Sequence, residues 1–296
     1  MRTSRSFAGR RGNRAKWSLT VAMTATLLGA APNAVANAHT APPYQTKHAE
    51  QGGTVVRDDL LSVFDRAGVK GTFALLDVDR GRTTVVDRRR AEHRTIPAST
   101  FKIPHSLIAL ETGAVKDENE VIPYGGQPQP FPEWEKDMNL RDAVKASSIP
   151  VFQTLARRIG LKRERQWLNR LGYGNREVGT VVEHFWLRGP LEISPVEQTR
   201  WLSRLADQKL PASKDNQRTV RDLLKIEQKD GYTLYAKTGW DMTSKPNVGW
   251  YVGWVERGGR THTFALTIDV KADGDTGKRV PLARDLLQRL GVLPSA

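Results

Sequence analysis

PASTFKIPHS, residues 97–106, decides how this chain is read. Ser99 stands three residues ahead of Lys102, between Pro97 and a long apolar stretch. Proline marks an extended approach, and serine is a common helix N-cap. From Phe101 the chain reads FKIPHSLIALETG, with Ile103, Leu107, Ile108 and Leu110 at roughly helical spacing and Gly113 as a natural stop. A helix beginning near Ser99 puts Lys102 one turn along on the same face, its amine within reach of the serine hydroxyl. The plain reading is a capping serine followed by a solvated lysine. The sharper one is a nucleophile beside its base, and the rest of the chain has to choose between them.

The first 38 residues read as a secretory signal peptide rather than as fold. Arg2, Arg5, Arg10, Arg11, Arg14 and Lys16 form a basic start without an acid, WSLTVAMTATLLGAA is the apolar run, and Ala36-Asn37-Ala38 is an A-x-A cleavage pattern. Arg10-Arg11 raises twin-arginine export, but the residues after the pair fit general secretion better. A retained anchor is the competing reading, and the apolar run is short for a span. Cleavage after Ala38 lowers the formal net charge from +14 to +8. The remaining charges are mixed, as in RDDLLSVFDR and LKRERQWLNR, which describes solvated helix faces rather than a nucleic-acid surface. The expectation is an exported protein, periplasmic or secreted, with no nucleic acid as partner and no membrane once the leader is gone.

The chain has no cysteine, which excludes disulfides, thiolate metal sites and cysteine nucleophiles. Its six histidines, at 39, 48, 93, 105, 184 and 262, form no i, i+4 pair and no H-E-x-x-H. Neither G-x-x-x-x-G-K-[ST] nor G-x-G-x-x-G occurs. The chemistry expected is free of metal and nucleotide.

Residues 39–53 read as a flexible lead-in, and 54–296 as a single catalytic domain. VVRDDLLSVFDRAG (55–68) has the pattern of an amphipathic helix ending at Gly68. GTFALLDVDRGRTTVVD follows as two strands joined by Asp79-Arg80-Gly81, a hairpin signal. From Thr100 to about Leu205 the pattern is mainly helical, broken by PYGGQPQPFPEW (123–134) and LGYGN. TLYAKTGW, NVGWYVGWVE and THTFALTIDV then read as three strands, and RVPLARDLLQRLG as a closing amphipathic helix. The expected class is α/β of the α+β type: an antiparallel sheet flanked by helices, with a mainly helical insertion.

Lys237-Thr238-Gly239 ends one strand-like run. Alone, K-T-G usually means a strand ending at a turn; paired with an upstream S-x-x-K it recurs in serine acyl-transferases acting on penicillins. Five stretches in order, PASTFKIPHSLIALETG, KASSIPVFQTLARRIG, LGYGN, EHFWLRGPLEISPVEQ and YAKTGW, together resemble the class D beta-lactamases, the oxacillinases, from about Gly71 to Gly291. The resemblance implies the fold of serine beta-lactamases and penicillin-binding proteins, beta-lactam antibiotics as substrates, and hydrolysis through an acyl-enzyme that confers resistance to them.

It also implies roles. Ser99 would be the nucleophile and Lys102 its base, carboxylated by carbon dioxide or bicarbonate to a carbamate (N6-carboxylysine), with no other cofactor and no metal. Apolar surroundings disfavour an ammonium and leave a neutral amine able to attack carbon dioxide. Trp186 would hydrogen-bond and shield that group. Ser147 would relay protons towards the substrate nitrogen, with Ser148 a neighbouring decoy that a helix would point elsewhere. Ile149 stands where valine is usual, beside the carbamate. Lys237, Thr238, Gly239 and Trp240 would line the substrate, with Lys237 meeting its carboxylate electrostatically. The backbone N–H groups of Ser99 and Trp240 would form the oxyanion hole. Arg279 suits the carboxylate-binding arginine, with Lys278 and Arg284 as rivals. Tyr173-Gly174-Asn175 reads as a structural turn.

Two features depart from the pattern. His105 stands where asparagine is frequent and reads as a packing change, and YGGQPQPFPEW lacks the W-D-G common before Trp134. Glu164, in ERQWLN, resembles the deacylating glutamate of class A enzymes at a spacing one residue too long, so deacylation falls to Lys102. Two rivals remain: a penicillin sensor that acylates and stays acylated, and a basic exported module binding an anionic envelope polymer. Ordered catalytic motifs argue against the second.

Overall fold

The computed structural model describes residues 52–229 and 231–295. The segment expected to be a signal peptide, and all but the end of the expected lead-in, lie outside the described residues. The helix expected over 55–68 divides in two. Thr54–Val56 is a strand, β1, and only Leu61–Arg66 is helical, α1, after a 3-10 turn at Asp58–Leu60. The physical reason lies in the side chains. Val55 and Val56 are β-branched and suit a sheet edge, whereas Val63 and Phe64 form the buried stripe of α1.

β2 (Gly71–Asp77) and β3 (Arg82–Val86) form the expected antiparallel hairpin. β3 leads into α2 (Arg88–Glu92), whose N-cap Asp87 accepts the Arg90 N–H. The insertion continues through α3 (Lys102–Glu111), α4 (Leu140–Lys145), α5 (Ile149–Ile159), α6 (Leu161–Leu171), α7 (Pro195–Ala206) and α8 (Lys214–Leu224). ISPVEQ starts α7 with a capping box: the Ser194 hydroxyl accepts the Glu197 N–H, and the Glu197 carboxylate accepts the Ser194 N–H.

The chain then returns to the sheet with β4 (Lys225–Lys229), β5 (Tyr232–Asp241), β6 (Asn247–Arg257) and β7 (Arg260–Val270), and closes with α9 (Arg279–Arg289). The seven strands lie in the order β1-β3-β2-β7-β6-β5-β4. Every neighbouring pair is antiparallel except β1–β3, so the antiparallel sheet expected from sequence carries one short parallel edge strand. No hairpin joins β1 to β3, so no tight turn imposes an antiparallel direction there. β4 has no sequence signature because KIEQK is a mostly exposed edge with no apolar face to alternate.

The sheet is covered on both faces, and β6 shows how. Trp250, Val252 and Trp254 face the helical insertion, whereas Tyr251 and Val255 face α1 and α9. Among the described residues, no helix is long and apolar enough to cross a membrane. Gly253, between those two tryptophan-bearing turns of the pleat, has no room for a side chain: a Cβ there would stand 2.0 Å from the Tyr235 carbonyl oxygen. Gly253→Ala is therefore expected to push β6 off β5 and cost about 1–3 kcal/mol, read as a fall in Tm; an unchanged Tm would show that the β5–β6 pair yields freely.

Candidate active site

α3 grows directly out of a 3-10 turn at Ala98–Phe101, which carries Ser99. Pro97 already has helical dihedrals, φ −70° and ψ −22°, so the approach is not extended at that residue. The sharp turn falls instead on Ala98, at φ +48° in the left-handed region that costs any side chain free energy. Ser99 does not cap the helix. Lys102 is fully buried and its Nζ donates to Ser99 Oγ at 2.9 Å, which rules out the solvated lysine of the plain reading.

The amine lies among rings. Lys102 Nζ is 5.2 Å from the centre of the Phe152 ring on α5. Phe152 in turn packs on His105 at 5.4 Å, and Trp186 stacks on Phe101 at 5.8 Å. Trp186 has no solvent exposure, and its indole N–H has no hydrogen-bond partner. Trp186 joins the lysine's surroundings through Phe101 and His105, and its open N–H is a buried donor without an acceptor.

Ser147 is not helical. It occupies the link between α4 and α5 at φ +55°, and Ser148 is the N-cap of α5, its hydroxyl accepting from the Val151 N–H. The two serines therefore diverge, one into the site and one into the backbone. Ile149, the first residue of α5, is half-buried against the helical core. Trp134 Nε1 donates to the Ala146 carbonyl at 3.0 Å and ties the 123–134 segment beside Ser147.

From the opposite side β5 brings Lys237. Its Nζ donates to Ser147 Oγ at 2.9 Å and to the Thr238 carbonyl at 3.0 Å. Gly239 lets the strand come this close, since a Cβ would stand 2.9 Å from Thr100 Cγ2 and 3.1 Å from the Pro97 carbonyl oxygen. Strand alternation sends Thr238 and Trp240 to the other face, where Trp240 packs with the α9 layer. Arg279 is on that side too. Its Nη1 donates to the Gly239 carbonyl at 2.5 Å and its Nε to Thr276 O at 2.6 Å. The rivals are engaged elsewhere, Lys278 with Asp275 and Arg284 with Glu227.

Tyr173 is buried, and Asn175 bridges the turn: its Oδ1 accepts from Glu177 N and Glu192 N, and its Nδ2 donates to Pro190 O. Among the described residues no group of three His, Cys, Asp or Glu side chains converges to hold a metal ion. Sequence reasoning missed Phe152, which carries no polar signal. It also set aside Glu164, which is fully buried 2.8 Å from His105.

Known proteins fall into place against this geometry. The family described as the penicillin binding protein transpeptidase domain matches residues 62–288. The chain is 39% identical over 233 residues to beta-lactamase OXA-5 of Pseudomonas aeruginosa, covering 78% of this chain and 87% of that one. It is 37% identical over 251 residues to beta-lactamase OXA-2 of Salmonella typhimurium, covering 83% and 89%. The crystal structure of the class D beta-lactamase YbXI from Nostoc superposes with a TM-score of 0.78 at 36% identity, covering 80% of this chain and all of that one. The chain belongs to the class D beta-lactamases.

In this class D chain the two lysines are held in unusual states by their surroundings. Burial, and then the charge of Lys237, hold the Lys102 amine well below the ordinary lysine range. Burial, and then Arg279, bring Lys237 from 10.5 down to about 7. Between those two values the unfolded chain holds a proton on Lys237 that the folded chain releases, so the contribution to stability rises with pH across that interval and is absent below it. Lys237→Met is expected to flatten the rise, measured by chemical denaturation at about pH 6, 8 and 10. A parent whose stability stays level over that range would contradict the burial argument.

Proposed function

We propose that this chain hydrolyses the four-membered amide of penicillin-type antibiotics through an acyl-enzyme on Ser99, in an exported enzyme that confers resistance to them. The observation that carries the reading is the 2.9 Å contact between Ser99 Oγ and the fully buried Lys102 amine, facing Lys237. Ser99 Oγ attacks the lactam carbonyl carbon and the C–N bond breaks. Lys102 takes the hydroxyl proton, and the ring nitrogen receives one through Ser147, whose hydroxyl meets Lys237 Nζ. Backbone N–H groups of Ser99 and Trp240 hold the developing oxyanion; one such donor contributes about 3 kcal/mol in related acyl transfers. Lys237 meets the substrate carboxylate beside Gly239, while the side chains of Thr238, Trp240 and Arg279, turned to the α9 face, support that strand from behind, Arg279 by donating to the Gly239 carbonyl. Water then attacks the ester, and Ser99 is regenerated.

Lys102 is proposed to act as its carbamate, formed when the neutral amine bonds to the carbon of carbon dioxide and loses a proton. Two features support it: burial holds the amine well below the ordinary lysine range, and the Trp186 indole N–H is buried without an acceptor. The carbamate supplies an anionic general base for both half-reactions.

Intact mass after brief exposure to penicillin, with steady-state rates alongside, tests the whole. The parent is expected to turn over a chromogenic cephalosporin, faster with added bicarbonate and slower at mildly acidic pH. Lys102→Ala should nearly abolish turnover, and Trp186→Ala should accumulate acyl-enzyme. A single burst without turnover would make the chain a sensor. Salt-sensitive polymer binding with no adduct on Ser99 would make it a binding module.

A further inference from the structure

His105 on α3 and Glu164 on α6 face each other with no solvent exposure, Nε2 to Oε1 at 2.8 Å. The distance is that of a charge-assisted contact, but the groups are not aligned as a hydrogen bond, and the second nitrogen and second oxygen have no partner either. A carboxyl group this deep has to be neutralised, because an unpaired buried charge costs several kcal/mol. Two states are open to the pair. Without an extra proton it is a neutral imidazole beside a carboxylate and carries one negative charge. With one, shared in either arrangement, it is net neutral, and a dry site favours that state.

The pair forms the far wall of the lysine pocket. His105 is one helical turn beyond Lys102. Its ring meets Trp186 edge-on at 5.0 Å and contacts Phe101 at 5.1 Å and Phe152 at 5.4 Å. Phe152 is the ring over which the Lys102 amine lies. The ionisable groups around His105 are Lys102 from its own helix, Glu164 from α6, and Tyr173 beyond Phe101; α5 and the Trp186 segment contribute rings. Among the described residues, the ion pair that Glu164 makes is with His105.

We propose that His105 and Glu164 are a positioning pair that retains one proton between them, braces Trp186 against the lysine pocket, and keeps that wall uncharged when Lys102 carries carbon dioxide. The inference rests on the carboxylation of Lys102 proposed above. Loss of the imidazole would leave Glu164 either a second anion behind the carbamate or an acid that must take up its own proton, and both disfavour carbamate formation; a neutral amide at 164 would relieve either.

Carbamate occupancy, read directly by 13C NMR during titration with labelled bicarbonate, separates the possibilities. His105→Leu is expected to raise the half-saturating bicarbonate about tenfold, the order of effect of one like charge at close range inside a protein. Glu164→Gln should stay within about twofold of the parent, and adding Glu164→Gln to His105→Leu should recover most of the loss. If His105→Leu does not fold, His105→Asn carries the same comparison. Variants that lower Tm but leave half-saturation unchanged would make the pair a structural bridge only. A parent with no labelled carbamate would overturn the carboxylation of Lys102 itself and this inference with it.

Discussion

One primary amine has been taken wholly out of water, and much of the site follows from that constraint. An ammonium at Lys102, fully buried over the Phe152 ring, is disfavoured, which holds the amine well below the ordinary lysine range, and a neutral amine is a base and a nucleophile where an ammonium is neither. Burial also couples Lys102 to Lys237: two cations cannot be held close together in a dry cleft, and each contact in the site lowers the proton load. The arrangement exchanges stability for reactivity, as buried functional groups commonly do.

The same constraint explains the backbone. Ala98 and Ser147 are both in the left-handed region without being glycine, one immediately before Ser99 and the other carrying the hydroxyl that meets Lys237. Such conformations persist only where surrounding packing over-determines them. Here the packing comes from two directions. Gly239 lets β5 lie against the Ala98–Phe101 turn, and Trp250 Nε1 donates to the Ile96 carbonyl at 2.9 Å from the neighbouring strand. Gly249 leaves room for the Arg279 stem, 2.9 Å from where a Cβ would be. Sheet and insertion are thus clamped at the point where their functional groups meet.

Particular elements show what could and could not be read in advance. The Asp79-Arg80-Gly81 hairpin, the helical middle and the three long strands near the end were legible because each carries its own period and its own turn residues. β1 and β4 were not: one is three residues of a β-branched edge continuous with a helical pattern, the other a polar edge. Ser147-Ser148 looked like a helical pair and is a break between helices, because positive φ leaves no compositional trace at serine. Glu164 looked like a class A glutamate out of register; its partner His105 is 59 residues earlier in the chain, too far for spacing to suggest the contact.

What the sequence determined by itself is the inventory and its order: a serine one turn from a lysine, a second lysine ending a strand, a tryptophan in an apolar segment, no thiol, and enough local periodicity to make a sheet enclosing helices. Those are local properties, written in spacing and residue type. Only the tertiary structure decided that Lys102 is dry, that Lys237 reaches Ser147 across ninety residues, that Thr238 and Trp240 look towards α9, and that His105 meets Glu164. Desolvation and charge coupling depend on what surrounds a group in space, and that surrounding is assembled from segments whose separation along the chain carries no record of it.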